Sequence, residues 1–207
     1  MKSDRRETMD SIVAERFRQW TAGRDDLQAR VAIFEKVRDI PYAIVPELND
    51  AERYAGILAL GKGSCTPKHF LLCGMYQQLG LSVLYAVYPF RWAEVEVPYP
   101  PGLRKLAEAL SLSYHLACRV EIEGRLVLVD ATLDPVLEQM GLPVNRDWDG
   151  VSDTRLAIHP SGEEELYHPS EAASLRAPPD GDRLAFSNAL NRWLEDLRRH
   201  PMETPSS

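Results

Sequence analysis

Leu116-Ala117-Cys118-Arg119-Val120-Glu121-Ile122-Glu123-Gly124-Arg125-Leu126-Val127-Leu128-Val129-Asp130-Ala131 is the stretch whose reading decides the fold. Leu116, Cys118, Val120 and Ile122 alternate with more polar residues at the two-residue period of a strand with one buried face. Glu123-Gly124 makes a tight turn, and Arg125 to Ala131 returns as a second strand. If those two residues are the turn, Ile122 faces Arg125 and Ala117 faces Asp130. His115 then lies on the same face as Ala117, with Asp130 as its diagonal neighbour. A carboxylate so placed can hold one imidazole nitrogen and leave the other to accept a proton.

Upstream, Gly61-Lys62-Gly63-Ser64-Cys65-Thr66-Pro67-Lys68-His69 is a glycine-rich turn that delivers Cys65 to the start of a helix. The unpaired N–H groups and the positive end of the helix dipole favour thiolate over thiol there, lowering a pKa of ordinarily about 8.5. The helix is expected to bury Leu72, Tyr76 and Leu79, with Cys73 on the same side, and to stop at Gly80. Ser82 to Tyr88 reads as a buried strand. Phe70 to Phe90 carries no charge over 21 positions, but Gln77-Gln78, Gly80 and Pro89 within it favour this helix and strand over a membrane span. Cys65, His115 and Asp130 thus fall in order as nucleophile, base and orienter. His69, one turn from Cys65, is a rival base for which spacing provides no carboxylate. Cys73 and Cys118 fall on apolar faces and are expected to be structural.

Elsewhere the chain reads as helices. Met9, Ile12, Val13, Phe17 and Trp20 recur at helical spacing up to Gly23. Asp25 and Asp26 can cap a second helix presenting Leu27, Val31, Phe34 and Val37 on one face. Ala51 to Leu60, Leu103 to Leu112 and Leu184 to Arg199 are further helical segments. Asn145 to Thr154 and His159 to Asp182 read as loops, with His159 and His168 at the surface. Trp148 serves either as a loop anchor or as the wall of a cleft.

The chain has 207 residues, 44% hydrophobic and 27% charged, with a formal net charge of −7. That balance argues against a nucleic-acid or anionic-membrane partner, either of which wants a basic face. Three cysteines without a C-x-x-C pair suit free thiols in a reducing compartment. The N-terminus shows no apolar run of the secretory kind, so a cytoplasmic protein is expected. Residues 9–199 are expected to form one α+β domain, with a core over 37–134, an extension over 135–199 and a disordered tail from 200. Gly56-x4-Gly61-Lys62 is not a phosphate loop, because Gly63 stands where Ser or Thr would bind magnesium. No Cys and His pair has zinc-site spacing, and neither metal nor cofactor is expected.

Gly63-Ser64-Cys65 opening a helix, Tyr114-His115 beginning a strand and Val129-Asp130-Ala131-Thr132 ending the next resemble the transglutaminase-like thiol enzymes. The likeness runs from Val37 to Asp134 and includes Val37-Arg38-Asp39-Ile40-Pro41-Tyr42 and Gln78-Leu79-Gly80-Leu81. It implies a papain-like core in which the Cys helix packs on an antiparallel sheet, with Cys65, His115 and Asp130 as a catalytic triad. It further implies a hydrolase or acyl transferase acting on an amide or peptide bond of a peptide or small amide. The eukaryotic crosslinking members carry an upstream Trp as oxyanion donor; here the only upstream Trp, Trp20, belongs to an amphipathic helix. The Cys65 backbone N–H is one candidate donor, and Tyr42 or Asn49 a second. The calcium-binding and flanking β-sandwich domains of the crosslinking enzymes do not fit this length, which argues against protein crosslinking. A non-catalytic binding or scaffold domain on the same fold is the alternative, and a redox-responsive thiol a third reading.

Overall fold

The computed structural model of the chain describes residues 2–171 and 181–201, with side chains from residue 11 onward. Helix α1 spans Lys2–Thr21 and helix α2 Asp26–Arg38. Asp25 caps α2 with a reciprocal pair of bonds: its Oδ1 accepts the Gln28 N–H at 2.8 Å, and Gln28 Oε1 accepts the Asp25 N–H at 3.3 Å. Of the face expected for α2, Phe34 and Val37 are buried, joined by Ala29, Ala32 and Ile33, whereas Leu27 is exposed and Val31 half-buried. Phe34 docks on Trp148 with ring centroids 4.9 Å apart, so that Trp anchors a loop. The helix expected over 51–60 is instead a 3-10 turn, Tyr54–Gly56, followed by the single-turn helix α3, Ile57–Leu60. The Asp50 carbonyl accepts the N–H groups of both Arg53 and Tyr54, at 3.0 and 2.9 Å, closing a tight turn ahead of the 3-10 segment.

Helix α4, Cys65–Gln78, is the centre of the molecule. Pro67 to Cys73, Met75 and Tyr76 are all buried, so α4 is covered on nearly every side instead of presenting one apolar stripe. Helices α1 and α2 pack against it, and so do strands β1 (Val83–Phe90) and β2 (Ser113–Ile122). With β3 (Arg125–Val129) and β4 (Glu165–Tyr167) these form an antiparallel four-stranded sheet of order β3-β2-β1-β4. Ile122 pairs with Arg125, as the turn at Glu123-Gly124 requires. The chain is therefore an α+β protein. The stretch from Phe70 to Phe90 is the rest of α4, a turn and β1, and among the described residues no helix is long and apolar enough to cross a membrane.

Two apolar clusters flank the site. One packs Phe34, Leu71, Leu72 and Tyr76 against Val120, Ile122 and Val129 of the sheet. The other joins α5 (Pro101–Ala109), a 3-10 segment over Pro135–Met140 and α6 (Gly181–Arg199) through Leu103, Leu137, Phe186 and Leu190. Cys73 of α4 and Cys118 of β2 form a disulfide within the first cluster. That overturns the expectation of three free thiols, leaving Cys65 as the free cysteine, and it removes the cysteine argument for a reducing compartment. The Met9 side chain, part of the loop expected over 159–182, and residues 202–207 of the expected tail lie outside the described residues.

Candidate functional site

The turn before α4 is shaped by two glycines for different reasons. Gly61 ends α3 with φ +70°, a left-handed conformation that suits a residue without Cβ. A Cβ on Gly63 would lie 2.6 Å from Ile57 Cγ2. Its backbone also pairs with the segment 41–43: the Gly63 N–H donates to Pro41 O at 3.0 Å, and its carbonyl accepts from Ala43 N at 3.2 Å. Ser64 occupies the N-cap position of α4 but does not cap it. Its hydroxyl donates to Asn49 Oδ1 at 2.7 Å instead. The first N–H groups of α4, those of Cys65 and Thr66, therefore keep no side-chain cap beside the thiol.

Cys65 is half-buried and faces a cleft of about 1170 Å³. His115 lies beside it on β2, with its ring between those of His69 (centroid 6.2 Å away) and Tyr88 (6.5 Å). His115 Nε2–H donates to Asp130 Oδ2 at 2.8 Å, both residues being 2% exposed. The diagonal contact expected from strand parity is thus formed. Its other nitrogen is left toward the Cys65 thiol, with which the ring is electrostatically coupled. Burial alone would lower the His115 pKa; the Asp130 charge and hydrogen bond, joined by Cys65, carry it up to about 10. Burial alone would raise Cys65. The His115 hydrogen bond and charge, with the Leu116 N–H, outweigh that and bring the thiol below its ordinary value. Burial likewise opposes ionisation of Asp130, yet His115 beside it holds its carboxyl well below the usual range.

Asp130 is fixed by a loop that sequence periodicity left featureless. Its Oδ2 also accepts the Ala157 N–H at 2.8 Å, its Oδ1 accepts the Thr132 N–H at 3.0 Å, and its own N–H donates to Thr154 Oγ1 at 2.8 Å. Asn145 Nδ2 donates to the Asp130 carbonyl at 3.1 Å, and Arg38 Nη1 holds the Asn145 carbonyl at 3.0 Å. Residues 145–157 therefore act as a cradle for this carboxylate.

His69 is excluded as the base by its own bonds. Nδ1 donates to the Cys65 carbonyl at 2.9 Å, and Nε2 accepts the Ala131 N–H at 3.0 Å. Burial holds its pKa down at about 4, so it is a neutral ring with a fixed tautomer. An acceptor nitrogen cannot also donate to Asp130 Oδ1, 3.6 Å away, and that contact is not an ion pair. Lys68, one helical turn from Cys65 and 0% exposed, escaped the sequence reading. Its Nζ donates to the carbonyls of Arg38, Ile40 and Thr132 at 2.9, 2.9 and 2.7 Å, which match the three protons of the ammonium. Burial draws its pKa down to about 7, against the pull of Asp134 and Asp130. A signal existed: Lys68 is the single charged side chain between Gly63 and Phe90.

Tyr42 lines the cleft, but its backbone N–H is committed to Asp134 Oδ2 at 2.7 Å. Its hydroxyl is kept neutral, first by burial and then by the neighbouring Cys65 and Tyr99. Asn49 also lines the cleft, and with Oδ1 accepting from Ser64 its amide N–H₂ is the end left for a ligand. Arg198 of α6 donates to both Asp134 Oδ2 (2.7 Å) and Tyr42 O (3.1 Å), a clamp no sequence pattern announces. Among the described residues no group of three His, Cys, Asp or Glu side chains is placed to hold a metal ion.

Comparison of the chain with models of protein families, with curated proteins and with solved structures gave no match.

Proposed function

We propose that the chain is a cysteine-dependent hydrolase or acyl transferase acting on an amide or peptide bond, on a papain-like core of the transglutaminase-like kind. The observation that carries this reading is the buried His115–Asp130 hydrogen bond beside Cys65 on the lining of a cleft. In the proposed reaction the Cys65 thiolate attacks the substrate carbonyl carbon, forming a C–S bond and an oxyanion. The Cys65 N–H and the Asn49 amide are the donors available to that oxyanion, with the Tyr42 hydroxyl as a further one. His115 gives its proton to the leaving nitrogen as the C–N bond breaks, and a thioester remains. Water, or a second amine, then attacks the thioester with His115 as base and frees the thiolate. Asp130 keeps one His115 nitrogen occupied throughout, so the ring exchanges protons only through the nitrogen facing the thiol.

Iodoacetamide labelling followed by intact-mass spectrometry tests the nucleophile at pH 6.5. An ordinary thiol is about 1% ionised there, and the gain from fuller ionisation is trimmed by the weaker nucleophilicity of a low-pKa thiolate. Wild-type Cys65 is expected to react about 10-fold faster than the His115→Ala variant. Equal rates for wild type, variant and a small free thiol would refute the proposal.

A further inference from the structure

Behind Cys65, the apolar cluster shared by α5, α6 and residues 133–144 does not close on itself. Leu133, Leu137, Phe186 and Leu190, buried members of that cluster, line the cleft together with the half-buried rings of Trp92 and Trp193. The space they bound, about 1170 Å³, is continuous with the thiol. Of the charged side chains on it, Glu47, Arg53 and Glu165 are exposed and so sit at its rim, whereas Asp50 is buried with its carboxylate on the Glu52 N–H at 2.7 Å. Arg183, also on the lining, is turned to the Ser111 and Ser113 hydroxyls and the Leu112 carbonyl at 3.2, 3.1 and 2.8 Å. An apolar cavity of that size binds water poorly and apolar groups well, and it exceeds what an acetyl group or a glutamine side chain fills. Thr132 lines the same cleft two residues beyond Asp130, and its buried hydroxyl has no partner among the described residues.

We infer that the carbonyl attacked by Cys65 belongs to a bulky apolar acyl group, aryl-alkyl or long alkyl, which lies in this cavity. The inference rests on the reading of Cys65 as nucleophile and adds the substrate class to it. It makes the leaving amine the part of the substrate that faces the charged rim.

Two esters with one leaving group isolate the acyl side: 4-nitrophenyl acetate and 4-nitrophenyl 3-phenylpropanoate. With each, the Cys65 C–S bond forms as the ester C–O bond breaks and 4-nitrophenolate departs. Water then releases the carboxylic acid and restores the thiolate. Rates of 4-nitrophenolate release, with acyl-enzyme mass as a second readout, are divided by those of N-acetylcysteine with the same ester. The corrected rate for the phenylpropanoate is expected to exceed that for the acetate by about 10-fold or more. Leu190→Trp, which fills the cavity, should bring this ratio to about one. Ile44→Trp, at a half-buried lining position, makes the same test if Leu190→Trp does not fold. A wild-type ratio near one, with acetate still reacting faster than the free thiol, overturns the acyl cavity and leaves the nucleophile standing. So does a preference that survives in folded cavity-filling variants. An acetate rate no faster than the free thiol, and unchanged in Cys65→Ala, removes the nucleophile and this inference with it.

Discussion

Replacing Asp130 by asparagine preserves the shape of the side chain while removing its charge, and the surrounding bonds dictate the consequence. All three groups bound to the carboxylate are donors: His115 Nε2–H, Ala157 N–H and Thr132 N–H. An amide can keep its oxygen toward His115 and Ala157 only by turning its N–H₂ toward the Thr132 N–H. One buried donor then loses its acceptor, a cost of about 1–3 kcal/mol. The ring keeps its orientation but loses the carboxylate that holds its pKa near 10, and burial, the largest influence on it, then pulls it down. The net rise from an ordinary 6.5 to about 10, with burial opposing it, corresponds to roughly 5 kcal/mol in favour of the imidazolium, to which Asp130 and Cys65 both contribute. The sign follows from linkage. A histidine whose folded pKa is raised stabilises the fold fully below about pH 6.5 and loses that contribution as pH rises through about 10. Urea unfolding between pH 6 and 10 should therefore show wild-type stability falling across this window by more than that of Asp130→Asn. Nitrogen-15 NMR of the imidazoles reads the His115 midpoint directly, near 10 in wild type and lower in the variant. A midpoint unmoved by the substitution would refute the assignment of Asp130 as the cause.

Two further outcomes follow from groups around α4. Removing the Cys73–Cys118 disulfide, as the double Cys→Ala variant, frees a loop with a sequence separation of 45 residues. It should lower unfolding free energy by about 4 kcal/mol, measured by denaturant titration against wild type without reductant. Lys68→Met leaves three buried carbonyls without their common donor and should destabilise by about 3 kcal/mol or more. Thermal and urea unfolding check it, and a Tm within a degree of wild type would show that Lys68 is not a staple.

The sheet register was legible because a period of two leaves few choices once Glu123-Gly124 is read as the turn. Parity then put His115 and Asp130 together without any knowledge of the remaining chain. Helix starts were legible where they carry local chemistry, as at Asp25 and Cys65. The face expected for α2 holds at Phe34 and Val37 but not at Leu27, because the helix is rolled to present Ile33 and Phe34 to α4 and Trp148. In place of the helix expected over 51–60 the chain makes a turn on the Asp50 carbonyl and a 3-10 segment before Ile57, a change of hydrogen-bond pattern that apolar periodicity does not register. The cradle of Asp130 was illegible in a deeper sense. Asn145, Thr154 and Ala157 act through backbone and short polar groups spread over irregular chain, and their bonds span 15, 24 and 27 residues. No period marks such positions. The disulfide hid for a similar reason: 45 residues separate its ends, and only the packing of α4 on β2 brings them together.

Helix α6 reaches back to the segment that precedes Cys65 at several points. Asn191 takes both backbone polar groups of Ile44, each at 2.8 Å, Glu195 pairs with Lys62 at 2.8 Å, and Arg198 clasps Tyr42 and Asp134. Synthesis runs in the opposite sense, from Tyr42 toward Arg198. While a ribosome is still making residues 181–199, Cys65, His115 and Asp130 have already emerged, but one wall of the cleft has not. The thiol's surroundings are completed by the arrival of α6, so the order of translation delays assembly of the cleft until the scaffold that carries the thiol has been made.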